Sequence, residues 1–261
     1  MSRLLLVLLL LSFTTASWAA ERIVLLSPAA GDIIHKLDAD SKVVGVTRNL
    51  EGFANATKVG SHIRPNVEII RSLNPDLLII SSNRFFSKEM AAAVGAEVYT
   101  YQPHSLEDIA AQIGVLAQRL GRESQGVKLI ARQWQKLELL RPVKQQPRVV
   151  FEVTAMPLLV AGSRHIVADI VKHAGGELLP ADKRKLVRYN AEAILARQPD
   201  IYIYQVGPMN KNPQPPAQRS CFRSLNAKFL VVDELQFSRP NTSSFDNVVK
   251  LNRYFNGESF E

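Results

Sequence analysis

Apolar and polar positions follow two different periods along the chain. Short apolar runs, such as 23–26, 42–47 and 76–81, predict buried strands. Between them, apolar residues recur at three- and four-residue steps, which is typical of helices with one buried face. Strands that alternate with helices indicate parallel sheets with helical crossovers, so the chain is predicted to belong to the α/β class.

The longest predicted helix covers residues 122–141, near the middle of the chain. Pro142 follows it, and proline cannot continue a helix interior. Four apolar residues at helical spacing define its expected buried face: Val127, Ile130, Trp134 and Leu137. We expect this helix to join two separate bodies.

The sequence before this helix is repeated after it. Segments 66–80 and 190–204 share six identical residues at a constant offset, namely Asn66, Glu68, Ile70, Pro75, Asp76 and Ile79, which recur as Asn190, Glu192, Ile194, Pro199, Asp200 and Ile203. Two similar units joined by a helix predict two lobes with a cleft between them. We expect each lobe to hold a central, mostly parallel sheet flanked by helices.

The resulting division of the chain has four parts. Residues 1–19 are predicted to be a signal peptide, 20–121 the first α/β lobe, 122–142 the linking helix and 143–261 the second α/β lobe. Arg3 precedes a short apolar run that ends at the small-x-small sequence Ser17-Trp18-Ala19, which is the pattern of a secretory signal. The run is too short to span a bilayer, so a soluble periplasmic protein is expected.

The net charge of +8 favours an anionic partner. Nucleic acid is excluded as a partner because the chain is predicted to be exported and its basic residues are scattered. The single cysteine, Cys221, rules out an internal disulfide. A small anionic ligand or an anionic surface remains as the partner, and the protein is expected to be a monomer.

Candidate ligand residues follow from the rule that open α/β sheets bind ligands at the carboxyl ends of their strands. In the first lobe the rule selects Phe53, His62, Arg64, Arg84, Phe85 and Tyr101, and in the second lobe Met156, Phe237 and Arg239. Arg188 and Tyr189 are added because they precede the repeated helix, in a place comparable to that of Arg64. The four arginines could hold an anion, because the guanidinium group is planar, permanently charged and matched to carboxylate or catecholate oxygens. The aromatic side chains could equally well be core residues.

The order of these pieces resembles the helix-linked, class III periplasmic substrate-binding proteins of ABC importers, which capture ferric siderophores, haem or vitamin B12. The resemblance rests on motifs spread over nearly all of the chain after the signal: Arg22–Ala30, Lys42–Val46, Val59-Gly60, Asn66–Glu68, Leu73–Ile79, Leu159–Gly162, Ala174–Gly176 and Ser238–Pro240. It implies rigid lobes, a ligand in the cleft and the membrane permease as partner.

The resemblance also implies a ligand and two roles for individual residues. The ligand would be a metal chelate, with a ferric siderophore as the first candidate and haem or cobalamin as the next. Iron or cobalt would then arrive as part of the ligand, and the protein would have no intrinsic cofactor. His62 lies where haem- and siderophore-binding relatives place ligand contacts, and its imidazole could coordinate the metal. Glu68 and Glu192 match the two glutamates with which this family docks on permease arginines. Each also follows a helix-capping asparagine, so a purely structural role beside the helix dipole stays open.

Other functions have less support in the sequence. An enzyme is not expected, because the sequence has no G-x-S-x-G elbow, no phosphate-binding glycine loop and no H-E-x-x-H motif. Glu152 and His165 could be imagined as an acid–base pair, but their spacing does not require one. A binder of bare Zn²⁺ or Mn²⁺ would need several converging ligands, whereas the five histidines are dispersed. A ligand receptor of the same fold that takes no part in transport is the remaining alternative.

Overall fold

A computed structural model of the protein describes residues 19–260. The predicted signal peptide therefore lies outside the described residues, apart from Ala19. No helix in the described range has the length and apolar character needed to cross a membrane.

The first half of the chain forms one parallel sheet and its covering helices. In chain order the elements are β1 (Ile23–Leu25), α1 (Gly31–Lys36), β2 (Val43–Val46), β3 (Thr57–Lys58), β4 (Gly60–Ser61), β5 (Arg64–Pro65), α2 (Val67–Ser72), β6 (Leu77–Ile80), α3 (Lys88–Val94), β7 (Glu97–Thr100) and α4 (Leu106–Leu120). The sheet has the order β3-β2-β1-β6-β7 and every pair in it is parallel. Strands β4 and β5 form a small antiparallel hairpin beside it.

The second half of the chain forms a second sheet. After α5 (Glu123–Leu137) the elements are β8 (Arg148–Thr154), β9 (Leu159–Ala161), α6 (Ile166–His173), β10 (Glu177–Leu179), β11 (Leu186–Arg188), α7 (Ala191–Arg197), β12 (Ile201–Val206), β13 (Lys228–Asp233), α8 (Glu234–Phe237) and α9 (Ser243–Phe255). The sheet order is β11-β9-β8-β12-β13, and β10 also pairs with β8. Strand β9 is antiparallel to both of its neighbours, and the other pairs are parallel. The α/β architecture predicted from the apolar periods, with a mostly parallel sheet in each half, is confirmed.

The sequence repeat corresponds to a structural repeat. Strands β1, β6 and β7 are adjacent in the first sheet in the same order as β8, β12 and β13 in the second. The repeated aspartates do the same work: Asp76 accepts a hydrogen bond from the backbone N–H of Arg22 at 3.1 Å, and Asp200 accepts one from that of Arg148 at 2.7 Å. Each aspartate thus anchors the N-terminal end of the neighbouring central strand, β1 in the first sheet and β8 in the second.

Helix α5 is shorter than predicted, and one of the four residues of its predicted buried face is exposed. It ends at Leu137 rather than at residue 141, and Val127 is 69% exposed. Its buried residues are Gly126, Leu129 and Gln133. The other three residues of the predicted face, Ile130, Trp134 and Leu137, are partly buried and pack against the core. Gly126 packs directly against Ala117 of α4, where a side chain would not fit.

We expect two glycine substitutions in this helix pair to act in opposite directions. Gly126→Ala should lower the free energy of unfolding by about 1–2 kcal/mol, because the added methyl group overlaps Ala117 Cβ and overpacking outweighs the gain in helix propensity. Gly114→Ala, on exposed α4 backbone with Ile130 Cδ1 at 3.9 Å, should raise it by about 0.5–1 kcal/mol. Urea unfolding of both variants measures the two effects, and a stabilised Gly126→Ala protein would contradict the packing described.

A second connection joins the two halves besides the linking helix. The Tyr101 hydroxyl donates to Pro240 O at 2.8 Å, and Asp32 Oδ2 accepts from the backbone N–H and the hydroxyl of Thr242 at 3.2 and 2.6 Å. Lys36 pairs with Asp32 at 2.8 Å on the same side. The largest core cluster also includes residues of both halves, so the two sheets are held by shared packing as well as by α5.

Candidate functional site

The hairpin formed by β4 and β5 carries His62 at the carboxyl edge of the first sheet. The backbone N–H of Val59 donates to Val46 O at 2.9 Å, at the last residue of β2. Asn66 N–H then donates to Val59 O at 2.9 Å, which closes the base of the hairpin. His62 is therefore presented by a short loop that is attached directly to the strand end.

His62 lies beside two other predicted site residues of the same half. Its imidazole meets the ring of Phe85 edge-on, with the ring centroids 6.2 Å apart. The Arg84 guanidinium carbon lies 5.8 Å from the centroid of the same ring. Because Arg84 and Phe85 follow β6, two neighbouring loops at this edge converge, as the strand-end rule predicts.

Arg239 brings the second half of the chain to the same place. Burial lowers the pKa of His62, and the positive charge of Arg239 lowers it further. Burial also lowers the pKa of Arg239 itself, while the carboxylates of Glu234 and Asp233 act in the opposite direction. The charge of an arginine of the second half therefore acts on a histidine of the first half.

Glu234 is a functional candidate that the sequence patterns did not identify. It follows β13 at the carboxyl edge, it is 7% exposed, and its Oε2 accepts a hydrogen bond from Met209 N–H at 2.7 Å. Burial raises its pKa, against the effects of the Met209 hydrogen bond and the Arg239 charge. The backbone of the 207–209 segment can approach Glu234 this closely because residue 207 is glycine; a Cβ there would lie 2.5 Å from Glu234 Cβ. Its place directly after a strand was the signal that could have found it.

Three other predicted ligand residues are accessible at the same edges. Arg64 is exposed at the end of the hairpin, and Met156, after β8, is 92% exposed. Arg188 is exposed at the end of β11. It pairs with Leu159 of β9, and Leu159 in turn pairs with Thr154, the last residue of β8, so Arg188 lies at the same edge of the sheet as the end of β8. Arg64 belongs to the hairpin that carries His62, whereas Met156 and Arg188 lie at strand ends of the second sheet.

Phe53 and Tyr189 are half-buried. Phe53 packs near Gly31 at the start of α1. The Tyr189 hydroxyl accepts a hydrogen bond from Arg197 Nε, one helix along from its own strand. Both rings therefore have structural contacts and keep only part of their surface for a ligand.

Tyr101 and Phe237 are placed differently from their predicted role. Each is 2% exposed. The Tyr101 hydroxyl is used by Pro240 O, and Phe237 stacks on Phe151 with centroids 5.6 Å apart. Strand-end position selected both residues, but their side chains turn inward to fill the core, and this burial argues against ligand contact.

The repeated glutamates lie in the first turns of equivalent helices. Asn66 caps α2 and Asn190 caps α7; in each helix the asparagine Oδ1 accepts from the backbone N–H three residues on, at 3.0 and 2.8 Å. Glu68 and Glu192 are exposed, and neither forms an ion pair within residues 19–260. The capping expected from the sequence is confirmed, and one free carboxylate stands at the carboxyl edge of each sheet.

Glu152 and His165 do not form an acid–base pair. The Glu152 carboxylate is fully buried and is held by Arg219 in a two-point contact at 2.6 and 2.8 Å. The His165 side chain instead accepts from Val167 N–H and caps α6. Both side chains are thus engaged in structural contacts.

A cavity of about 460 Å³ lies away from this site, where β12 and β13 begin. Its lining includes Lys144, Lys228, Tyr254 and Phe255. It contains none of the residues that the strand-end rule selects, so the two features of the surface are separate.

Comparison with known proteins agrees with this architecture. A model of the family described as periplasmic binding protein matches residues 23–216. The vitamin B12-binding protein of Yersinia pestis (strain Pestoides F) is 27% identical over 206 residues, which cover 76% of this chain and 74% of the relative.

Solved structures share the fold over almost the whole chain. The periplasmic vitamin B12-binding protein of Vibrio cholerae superposes with a TM-score of 0.74 at 22% identity, covering 91% of this chain and 97% of its own. The periplasmic haem-binding protein RhuT from Roseiflexus sp. RS-1, in its apo form, gives 0.73 at 23% identity, with 91% and 98% covered. The family model matches most of the chain, and the proteins of this family bind substrates for transport and are not enzymes. The chain therefore belongs to the periplasmic binding protein family, in the helix-linked class that serves ABC importers.

Proposed function

We propose that this protein captures an anionic iron chelate at the carboxyl edges of its two sheets, in the periplasm, and delivers it to the permease of an ABC importer. The observation that carries the proposal is the convergence of His62, Arg84 and Phe85 at one edge, where the charge of Arg239 from the second half also acts on His62. A site made from both halves fits a ligand that is clamped between them.

The charge at this edge supports an anionic ligand. Within the described part of the chain, no ion pair engages the four predicted arginines: Arg64, Arg84, Arg188 and Arg239. Arg239 is also half-buried, and a guanidinium group removed from water gains more from a bound carboxylate or catecholate than an exposed one does. Carboxylate or catecholate oxygens of a ligand would supply the counter-charge.

The state of His62 supports an iron-containing ligand. Because burial and Arg239 lower its pKa, the imidazole is neutral at neutral pH, and only the neutral ring offers a lone pair to a metal. Phe85 beside it offers an apolar surface to the organic part of the chelate. We therefore place a ferric siderophore first and haem second.

Cobalamin, which the Yersinia relative is named for, is the third candidate. Its large, nearly neutral ring system would favour aromatic side chains over arginines. Trp134, the one tryptophan of the described residues, packs edge-on against Phe245 at 5.3 Å and is not at this edge. A bare Zn²⁺ or Mn²⁺ ion is less suited, because several ligands must converge on it and, among the described residues, no group of three metal-ligating side chains includes His62.

The ligand class is tested by a panel of one catecholate and one hydroxamate ferric siderophore, haemin and cyanocobalamin. Tight binding should raise the melting temperature of the protein and be measurable by titration calorimetry. The proposal of an iron chelate fails if cyanocobalamin binds tightly and the iron compounds do not, or if none of the panel shifts the melting temperature.

Arg239→Ala should weaken binding of the selected iron chelate by about 10- to 100-fold, since a hydrogen bond to a charged group is worth about 1.5–3 kcal/mol. Arg132→Ala, an exposed arginine on α5, is the matched control and should bind as the wild type does. Titration of both variants measures the difference, and equal affinities would remove Arg239 from the site.

A further inference from the structure

Three side chains of types that can ligate a metal ion, one from the first half of the chain and two from the second, lie together between α4 and α6. Glu107 is in the first turn of α4, while Asp169 and His173 lie one turn apart on α6. One ligand atom of each residue lies within 4.8 Å of the others. The group shares no residue with the site around His62.

The distances in this group suit a metal ion better than hydrogen bonds. His173 Nε2 lies 3.6 Å from Glu107 Oε1 and 3.6 Å from Asp169 Oδ2, longer than ordinary hydrogen bonds. Ligand atoms at about 2.0–2.1 Å from a tetrahedral zinc ion are separated by about 3.3–3.4 Å. Small side-chain movements would therefore bring all three atoms into the first coordination sphere of one ion.

The surroundings fix one of the three side chains and leave one side of the group open. Asp169 Oδ2 accepts the backbone N–H of Leu106 at 2.8 Å, which fixes that carboxylate against the start of α4. The side chains of Asp169 and His173 are 15% and 26% exposed, and that of Glu107 is 60% exposed. A carboxylate oxygen has further lone pairs for an ion, and water could complete the coordination from the Glu107 side.

We propose that Glu107, Asp169 and His173 bind one zinc-class divalent cation between α4 and α6. The three donors are an imidazole nitrogen and two carboxylate oxygens, a set that borderline ions such as Zn²⁺ accept. Since α4 belongs to the first half and α6 to the second, the ion would tie the two halves together at a place distinct from α5. This site does not depend on which ligand the protein transports.

The test is a titration of tag-free, EDTA-treated protein with zinc chloride. Wild-type protein should bind one Zn²⁺, with a rise of several degrees in melting temperature that EDTA reverses. His173→Ala should weaken this binding at least about tenfold, because even the loss of an outer-shell partner of a metal site costs about 10- to 100-fold. Co²⁺ in place of zinc should give the visible absorption of a tetrahedral site in the wild type and not in the variant.

His35→Ala is the matched control, because His35 pairs with the single carboxylate of Asp40 at 2.6 Å and lacks a third ligand. It should bind zinc as the wild type does. The proposal is overturned if wild-type protein takes up no zinc, in which case the three side chains form only an ion-pair cluster. It is also overturned if His173→Ala binds zinc normally, or if binding is lost in His62→Ala and kept in His173→Ala.

Discussion

Replacing Glu68 and Glu192 together by lysine should abolish uptake of the iron chelate and leave its binding by the purified protein unchanged. Both carboxylates are exposed, and one stands at the carboxyl edge of each sheet. On an otherwise basic protein, two separated acids can orient docking on arginines of a permease. Reversal of both charges would set cations against cations, which costs several kcal/mol at an interface.

The experiment compares uptake in cells with ligand titration in vitro. A carboxylate in the first turn of a helix contributes about 0.3–1 kcal/mol to stability, so the melting temperature of the variant has to be measured as well. Glu123→Lys is the matched control, because Glu123 is an exposed glutamate in the first turn of α5. Like each single exchange at Glu68 or Glu192, it replaces a first-turn carboxylate by a cation beside the positive end of a helix dipole. It leaves both repeated positions unchanged.

Each outcome separates one interpretation from another. Lost uptake with intact affinity supports docking, and the two single variants should then give partial losses. Lost affinity would place the glutamates in the ligand site. Normal uptake in the double variant would contradict docking through these residues and leave them only their structural role beside the helix dipole.

Features that depend on local pattern could be predicted from the sequence. The alternation of strand and helix patterns predicted the α/β class that the structure shows. The repeat of Asn66 and Asn190 identified two equivalent capped helices, because a capping residue acts on backbone only three residues away. The strand-end rule likewise brought His62 and Arg84 to one edge, since it needs only the order of strands and loops.

Features that depend on distant partners could not be predicted. Strands β10 and β11 are short and are stabilised by pairing with β8 and β9, so their own sequences carry little signal. The close contact of Gly126 with Ala117 depends on how α4 and α5 pack together, and the inward turn of Tyr101 and Phe237 depends on space in the core. In each case tertiary packing chose among orientations that the sequence pattern alone allowed.

The pairing of Glu152 with Arg219 is the strongest example of such a distant partner. The carboxylate is on central strand β8, and the arginine lies 67 residues later in the long segment between β12 and β13. The Tyr202 hydroxyl also donates to Glu152, at 2.6 Å. Burial raises the pKa of Tyr202, and the adjacent carboxylate raises it further, so the phenol stays protonated as a donor. The group pins this segment, which also carries Met209, onto the second sheet.

Arg219→Met should therefore lower the free energy of unfolding by about 3–5 kcal/mol, because it leaves the buried carboxylate of Glu152 without a counter-charge. Urea unfolding measures the loss. The double variant Glu152→Gln with Arg219→Met should recover most of the stability, since glutamine is neutral and still accepts from Tyr202. If the single and double variants were equally unstable, the loss would come from the packing of the arginine stem instead. A single variant as stable as the wild type would mean that Glu152 is not buried as a charged group, and the segment after β12 would need another anchor.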